Sequence, residues 1–520
     1  MPNEIHAPPP PPPTEVRTPR SSRSSRWAVY AAVAALAVLA VRALVVPLFV
    51  WDMLRYPFDY FFNEGDTLFY TLRLIRGEPV YSNSSGYPLL GNIYPPVYLW
   101  ITSFCSKLAA PSLASDRAFA VIPLLLTMIF AGLFLKRAKA ALPVTLGATL
   151  LIPCCYSMSH YLVMPRCDSW MACFCVMSFY FLSALEPSPR DLALGALFAA
   201  LAVFTKQTAL FGLALVQLTL IVKAPRKGFM ALAFTALFCA LLLTVSLWQF
   251  GPIMIEAITS LTVRRQFDAS RFMPYYMRTL TSLGVVAALA YGRASIHTTR
   301  WRWDFVDSYV IGHSIQTGFM LFVQSSSNYF LAVFPGMVIA AALCADAWLK
   351  AAAAPKPAAA AALPKAVLAI FAAIGLQLWL QLPFEATVTP PGKDALAEAL
   401  YARAFLTEVD EPVYAEHFWG SVAGRPGTDL YFAETTHTAN LPPGRFSEEQ
   451  LAAPFKQRKF ARVMLFADKV GNSFHSRALL ETVLQNYQVV REGSLKVCFG
   501  DAERVPVIFL ERKTGNAGNE

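Results

Sequence analysis

Charge is scarce in this sequence. Asp, Glu, Lys and Arg together make up 15% of its 520 residues, where soluble domains carry roughly a quarter. With a mean hydropathy of +0.44, that scarcity excludes an ordinary soluble protein. Metal-ligand spacing of cysteine with histidine is missing as well. Of nine cysteines, most lie inside apolar segments (Cys154, Cys155, Cys173, Cys175, Cys239, Cys344). They read as small buried hydrophobes, not as ligands or a disulfide framework. The apolar runs lack period-two alternation, which excludes a transmembrane β-barrel. Acidic charge is in deficit, for a formal net charge of +10. Much of the basic excess sits in short loops between apolar runs, so it signals membrane orientation and not nucleic acid.

What is abundant is apolar runs of about 20 residues, long enough to cross a bilayer as helices. The sequence predicts a polytopic α-helical membrane protein of about eleven spans, starting near residues 27, 118, 141, 169, 190, 207, 229, 275, 305, 329 and 365. Residues 1–26, with a polyproline run and then Arg17, Arg20, Arg23 and Arg26, cannot bury a core and are expected to be a disordered cytoplasmic tail. The run from Trp27 to Val50 is too long for a signal-peptide core and reads as an uncleaved first helix. Alternation then gives the cytoplasm Lys136, Arg137, Lys139, Arg190, Lys223, Arg226, Lys227 and Arg293, while Arg264, Arg265 and Arg271 fall outside against the rule. It also makes 51–117 an extracytoplasmic loop. Tyr94 to Ala110, opened by Pro95-Pro96 and interrupted by Lys107, predicts an interfacial helix. From about 384 to 520, helical stretches (Asp394–Thr407, Glu448–Phe455, Ser476–Gln485) alternate with strand-like ones (413–415, 461–466, 487–490, 496–499, 505–510). That pattern predicts a small α/β domain on the side of the acidic loop, following a transmembrane domain over 27–383. Its single cysteine, Cys498, excludes an internal disulfide.

Against this background the charged islands stand out. Asn63-Glu64-Gly65-Asp66 follows the first apolar run directly. Glu64 and Asp66 read either as helix-capping acids after Asn63 or as functional carboxylates beside lipid. Three more islands lie near membrane edges: Arg166 and Asp168, Lys206 within Phe204–Thr208, and Asn328 within Gln324–Tyr329. Arg166 and Asp168 are able to neutralise each other. Lys206 falls on the outer side, against the positive-inside expectation, and so reads as part of a cationic pocket for an anionic headgroup.

The order Asn63-Glu64-Gly65-Asp66, then Arg76-Gly77-Glu78-Pro79-Val80-Tyr81, then Asn92-Ile93-Tyr94-Pro95-Pro96-Val97-Tyr98 resembles the GT-C glycosyltransferases. More narrowly it resembles bacterial members related to protein O-mannosyltransferases and lipid A aminoarabinose transferase. Arg166-Cys167-Asp168, Thr205-Lys206-Gln207 and Asn328-Tyr329-Phe330 fall where that superfamily carries polar residues. Family members often carry Asp where this chain has Asn63, which leaves the role of base to Glu64 or Asp66.

The resemblance implies a multi-pass enzyme of the bacterial inner membrane. It would transfer a sugar from a polyprenyl-phosphate donor to an extracytoplasmic acceptor, generally with inversion. A carboxylate (Glu64 or Asp66) would act as base on the acceptor, and Lys206 and Arg166 would stabilise the departing phosphate. Asp168, Tyr94 and Asn328 would join them in binding substrate, with Tyr70, Tyr81 and Tyr98 as further sugar-platform residues. A divalent cation is left open, since two carboxylates suffice to hold one. The rival is a transporter or flippase for a lipid-linked or anionic solute. It predicts internal repeats and midplane charges, whereas no repeat is evident and the islands lie at span ends.

Overall fold

The computed structural model describes residues 23–60, 64–81, 92–154, 161, 163–263, 269–321, 327–353, 373, 374, 376, 393–415, 430–431, 448–466, 477–498 and 502–513. The 1–22 part of the expected tail, Asn63 and the expected start near 365 lie outside them.

Helices begin near every other expected start. In chain order they are α1 (Arg23–Arg55), α2 (Glu64–Ile75), α3 (Val97–Leu108), α4 (Leu113–Arg137), α5 (Leu142–Cys154), α6 (Cys167–Leu182) and α7 (Pro189–Thr205). Then come α8 (Leu210–Lys223), α9 (Pro225–Phe250), α10 (Ile253–Val263), α11 (Ala269–Thr299), α12 (Phe305–Thr317) and α13 (Phe330–Ala353). Five of these stretches are long and apolar enough to cross a membrane: Ala37–Arg55, Leu113–Arg137, Pro225–Phe250, Thr279–Thr299 and Phe330–Lys350. Leu142–Cys154, Cys167–Leu182 and Gln207–Lys223 are shorter apolar helices. The segment expected at the interface is helical over Val97–Leu108, with Lys107 in its last turn, where the helix dipole favours a cation.

Local chemistry sets the boundaries. Ser112, Ser188 and Asp304 each close a capping box at the start of α4, α7 and α12. Gly251, at φ 71°, turns the chain from α9 into α10 in a conformation that only glycine adopts readily. The helix Phe330–Lys350 is central, 78% buried, with Val333, Met337 and Ile339 in the main core beside Phe179 and Tyr309. In contrast, Pro225–Phe250 is 11% buried and turns Leu237, Leu241 and Trp248 outward.

Towards the C-terminus come α14 (Lys393–Thr407), α15 (Glu448–Lys456) and α16 (Arg477–Asn486) with strands β1 (Val413–Ala415), β2 (Leu430–Tyr431), β3 (Arg462–Phe466), β4 (Tyr487–Cys498) and β5 (Ala502–Arg512). They form one sheet in the order β2-β1-β3-β5-β4. β1 pairs parallel with β2 and β3, while β5 pairs antiparallel with β3 and β4. Tyr487–Cys498 is one continuous strand where the sequence predicts two. The polar stretch Arg491-Glu492-Gly493-Ser494 reads locally as a turn, but it pairs with Phe509, Ile508, Val507 and Pro506 all the same.

One core cluster joins the two parts of the chain. Met53, Tyr56, Phe58, Tyr60, Val163 and Met164 are buried together with Phe405, Val413, Met464 and Phe509. The sheet and α14 therefore cover the two segments that lead into the charged islands.

Candidate active site

α2 opens with its two acids in the first turn, where exposed amide groups favour negative charge. Both are buried, but their settings differ. Glu64 is fully buried against Arg117, itself fully buried near the start of α4. Its Oε1 accepts from Arg117 Nε. Its Oε2 accepts from Arg117 Nη2 at 2.7 Å and from the Tyr60 amide at 3.0 Å. The remaining guanidinium protons go to the carbonyls of Met53, Tyr56 and Phe58. All five donors of Arg117 are thereby used, so this pair staples the 53–60 segment onto α4. Asp66 is not part of that staple. It lies beside Thr67, whose hydroxyl donates to the Pro165 carbonyl at 2.7 Å, so the turn carrying Asp66 abuts the segment leading to Arg166.

Arg166, Asp168, Lys206, Asn328 and Tyr94 meet. Asp168, in the first turn of α6 and fully buried, accepts from Lys206 Nζ at 2.5 Å and from Asn328 Nδ2 at 2.9 Å, both on Oδ1. Its Oδ2 lies 3.6 Å from Arg166 Nε. Lys206 sits between the rings of Tyr329 and Tyr94, 4.2 and 5.6 Å from their centroids. Arg166 Nη2 is 3.5 Å from the Tyr94 hydroxyl. Burial raises the Tyr94 phenol above its ordinary range against the opposing pull of Lys206, so it is a neutral hydroxyl. Tyr81 donates to the Tyr94 carbonyl at 2.7 Å and holds that turn.

Two cations against one carboxylate leave this cluster with a net charge of one positive unit. Lys206 and Asp168 are sealed, while Arg166 keeps 18% of its side chain exposed. An anion would thus reach Arg166 first, in surroundings where unscreened charges act strongly.

Arg117 and Asp116 were not legible as site residues. Side by side at the head of an apolar run, they look like a self-neutralising flank. Here Arg117 faces Glu64, while Oδ2 of buried Asp116 has no hydrogen-bond partner among the described residues. Tyr329 was missed too, although its place next to Asn328 was a usable signal.

A divalent cation needs several oxygen or nitrogen ligands converging on one point. Among the described residues, the one group of three ligand side chains within reach of one another is His297, Asp304 and Asp307. Arg293 already engages both of those carboxylates, at 2.5 Å each, and Asp304 caps α12. That knot is structural and lies apart from the charged cluster. Glu64, bound by Arg117, is a poor ligand.

The described residues form a helical bundle with five helices long and apolar enough to cross a membrane and with buried charge at helix ends, and its fold is one shared with solved glycosyltransferases. No family model and no curated protein matches the sequence itself. In three dimensions the chain is similar to ArnT, the lipid A aminoarabinose transferase, from Cupriavidus metallidurans bound to undecaprenyl phosphate. The TM-score is 0.57 at 15% identity, over 95% of this chain and 100% of that one. It is also similar to the oligosaccharyltransferase AglB from Archaeoglobus fulgidus in complex with an inhibitory peptide and a dolichol-phosphate, with a TM-score of 0.52 at 11% identity, over 90% and 74% of the two chains.

Proposed function

We propose that this protein transfers a sugar from a polyprenyl-phosphate donor to an acceptor hydroxyl on the extracytoplasmic side of a bacterial inner membrane, with inversion. The observation that carries the reading is the meeting of Arg166, Lys206, Asp168, Asn328 and Tyr94, from four distant segments, beside the turn that bears Asp66. Ordinary packing does not gather two cations and a carboxylate at buried helix ends, because desolvating them is costly.

In this reading Arg166 and Lys206 bind the lipid phosphate, and Asp168 and Asn328 hold the Lys206 ammonium in place. The acceptor oxygen attacks the anomeric carbon as the bond from that carbon to the phosphate oxygen breaks. The acceptor proton passes to Asp66, and the cations stabilise the negative charge on the leaving phosphate. Glu64 serves as a positioning residue through Arg117, because both of its oxygens are already engaged. Tyr94, half-buried, is the aromatic placed to meet the sugar, whereas Tyr70, Tyr81 and Tyr98 are buried in the core and serve packing. The segment 384–520 is taken as an extracytoplasmic α/β domain, with the N-terminus in the cytoplasm. The ArnT complex with undecaprenyl phosphate supports a donor of this chemistry.

The test is transfer of labelled sugar from a polyprenyl-phosphate donor in membranes. Asp66→Asn is expected to lower turnover by roughly 10²–10⁴-fold while leaving undecaprenyl phosphate binding intact. Full transfer by Asp66→Asn would overturn the assignment of the base. Vesicle uptake of a lipid-linked solute without any transfer would overturn the reaction.

A further inference from the structure

Lys206 stands at a break in the backbone. Its φ of −154° and ψ of 118° interrupt the run from α7 into the short 3₁₀ turn Gln207–Ala209. Within a membrane bundle such a break has to be held by neighbours, since it removes helical hydrogen bonds where water is scarce. Thr208, two residues on, supplies the hold. Its hydroxyl accepts from Gln316 Nε2 at 3.2 Å. The other end of the same amide, Oε1, is 2.9 Å from His313 Nδ1. Gln316 and His313 are both fully buried in α12.

The chemistry of this chain fixes its direction. With its nitrogen turned to Thr208 and to the Met171 sulfur at 3.8 Å, Gln316 presents its oxygen to the imidazole. His313 Nδ1 must then carry the proton and donate it, and Nε2 is a bare acceptor. That Nε2 has no partner among the described residues. The ring is clamped from two sides. Tyr309 packs with its centroid 4.4 Å away, and Gly212 lies so close that a Cβ there would meet the ring at 2.2 Å. An apolar side chain would fill the site at less desolvation cost, so the imidazole is explained by what it orients.

We infer that His313, Gln316 and Thr208 form a relay from α12 that fixes the backbone break at Lys206 and so positions its ammonium for the donor phosphate. The three are positioning residues, and the inference rests on the reading of Lys206 as a phosphate ligand.

The test uses the full-length protein in detergent, titrated with undecaprenyl phosphate. Thr208→Val keeps the shape and removes the acceptor. Gln316→Leu cuts the middle of the chain. Each is expected to weaken binding roughly three- to tenfold and to raise the donor KM with little change in kcat. Thr208→Ser and His313→Asn, which keep an acceptor and a donor in those positions, are expected to retain tight binding. Because the two bonds act in series, the double variant Thr208→Val/Gln316→Leu is expected to bind no more weakly than the worse single variant.

Lys206→Met separates two failures. If it binds undecaprenyl phosphate as tightly as the wild type, the proposed function falls and this inference with it. If it weakens binding while Thr208→Val and Gln316→Leu leave binding unchanged, or if those two add independently, the relay alone is overturned.

Discussion

Glu64 and Arg117 are 53 residues apart in the chain and form a fully buried ion pair in which both carboxylate oxygens accept from one guanidinium. Removing either partner leaves an isolated charge in the core, which costs about 3–5 kcal/mol. Glu64→Ala and Arg117→Met should each lower the melting temperature in detergent by several degrees or more. Asp66→Asn, which keeps the shape of the side chain, should lower the melting temperature less than Glu64→Ala does while losing transfer. The two acids of one helical turn are thereby separated, one in stability and the other in turnover.

Asp168 and Lys206 should behave as a coupled pair. Lys206→Met strands a buried carboxylate, and Asp168→Asn strands an ammonium. The double variant removes both charges and should be more stable than the sum of the single losses predicts, by about 0.5–3 kcal/mol of coupling. A thermal-shift cycle over the four proteins reads this directly. Strict additivity would show that the 2.5 Å contact is not energetically real.

Tyr94 offers its hydroxyl to Arg166 at 3.5 Å and its ring to Lys206. Tyr94→Phe keeps the ring and drops the hydroxyl, so donor KM should rise no more than roughly fivefold. Tyr94→Leu removes the π face as well and should cost more. Equal effects of the two substitutions would rule out the cation–π contribution.

Removing residues 384–520 should not give a folded, truncated protein. Phe405, Val413 and Phe509 share a core with Met53, Phe58 and Met164, and their loss would bare a large apolar surface. Truncated protein is expected to lose its monodisperse peak in size-exclusion chromatography. Phe509→Ala, a milder cut into that core, should cost about 3–5 kcal/mol.

How much of this was legible in the sequence depends on how local the signal is. Arg166, Asp168 and Lys206 stand out because each is a charge next to long apolar stretches, and membrane burial makes such charges conspicuous. The helices are legible for the same reason, since apolar length is a property of the local chain. Arg117 was not, because its partner is 53 positions away and its neighbour Asp116 masks its charge. The strand across Arg491–Ser494 was missed because its pairing with β5 is a tertiary event that overrides local turn chemistry. The relay behind Lys206 was invisible for a further reason. His313 and Gln316 sit in a short helix of mixed polarity, where neither stands out from its polar neighbours, and only the approach of Thr208 gives them meaning.

Gly212 carries a last consequence. The imidazole of His313 occupies the volume that any side chain at position 212 would need. Gly212→Ala should therefore reduce folded yield, and pairing it with His313→Ala should recover the fold without recovering tight donor binding. The two positions are thus sterically coupled: a side chain at 212 fits only where residue 313 is smaller than histidine.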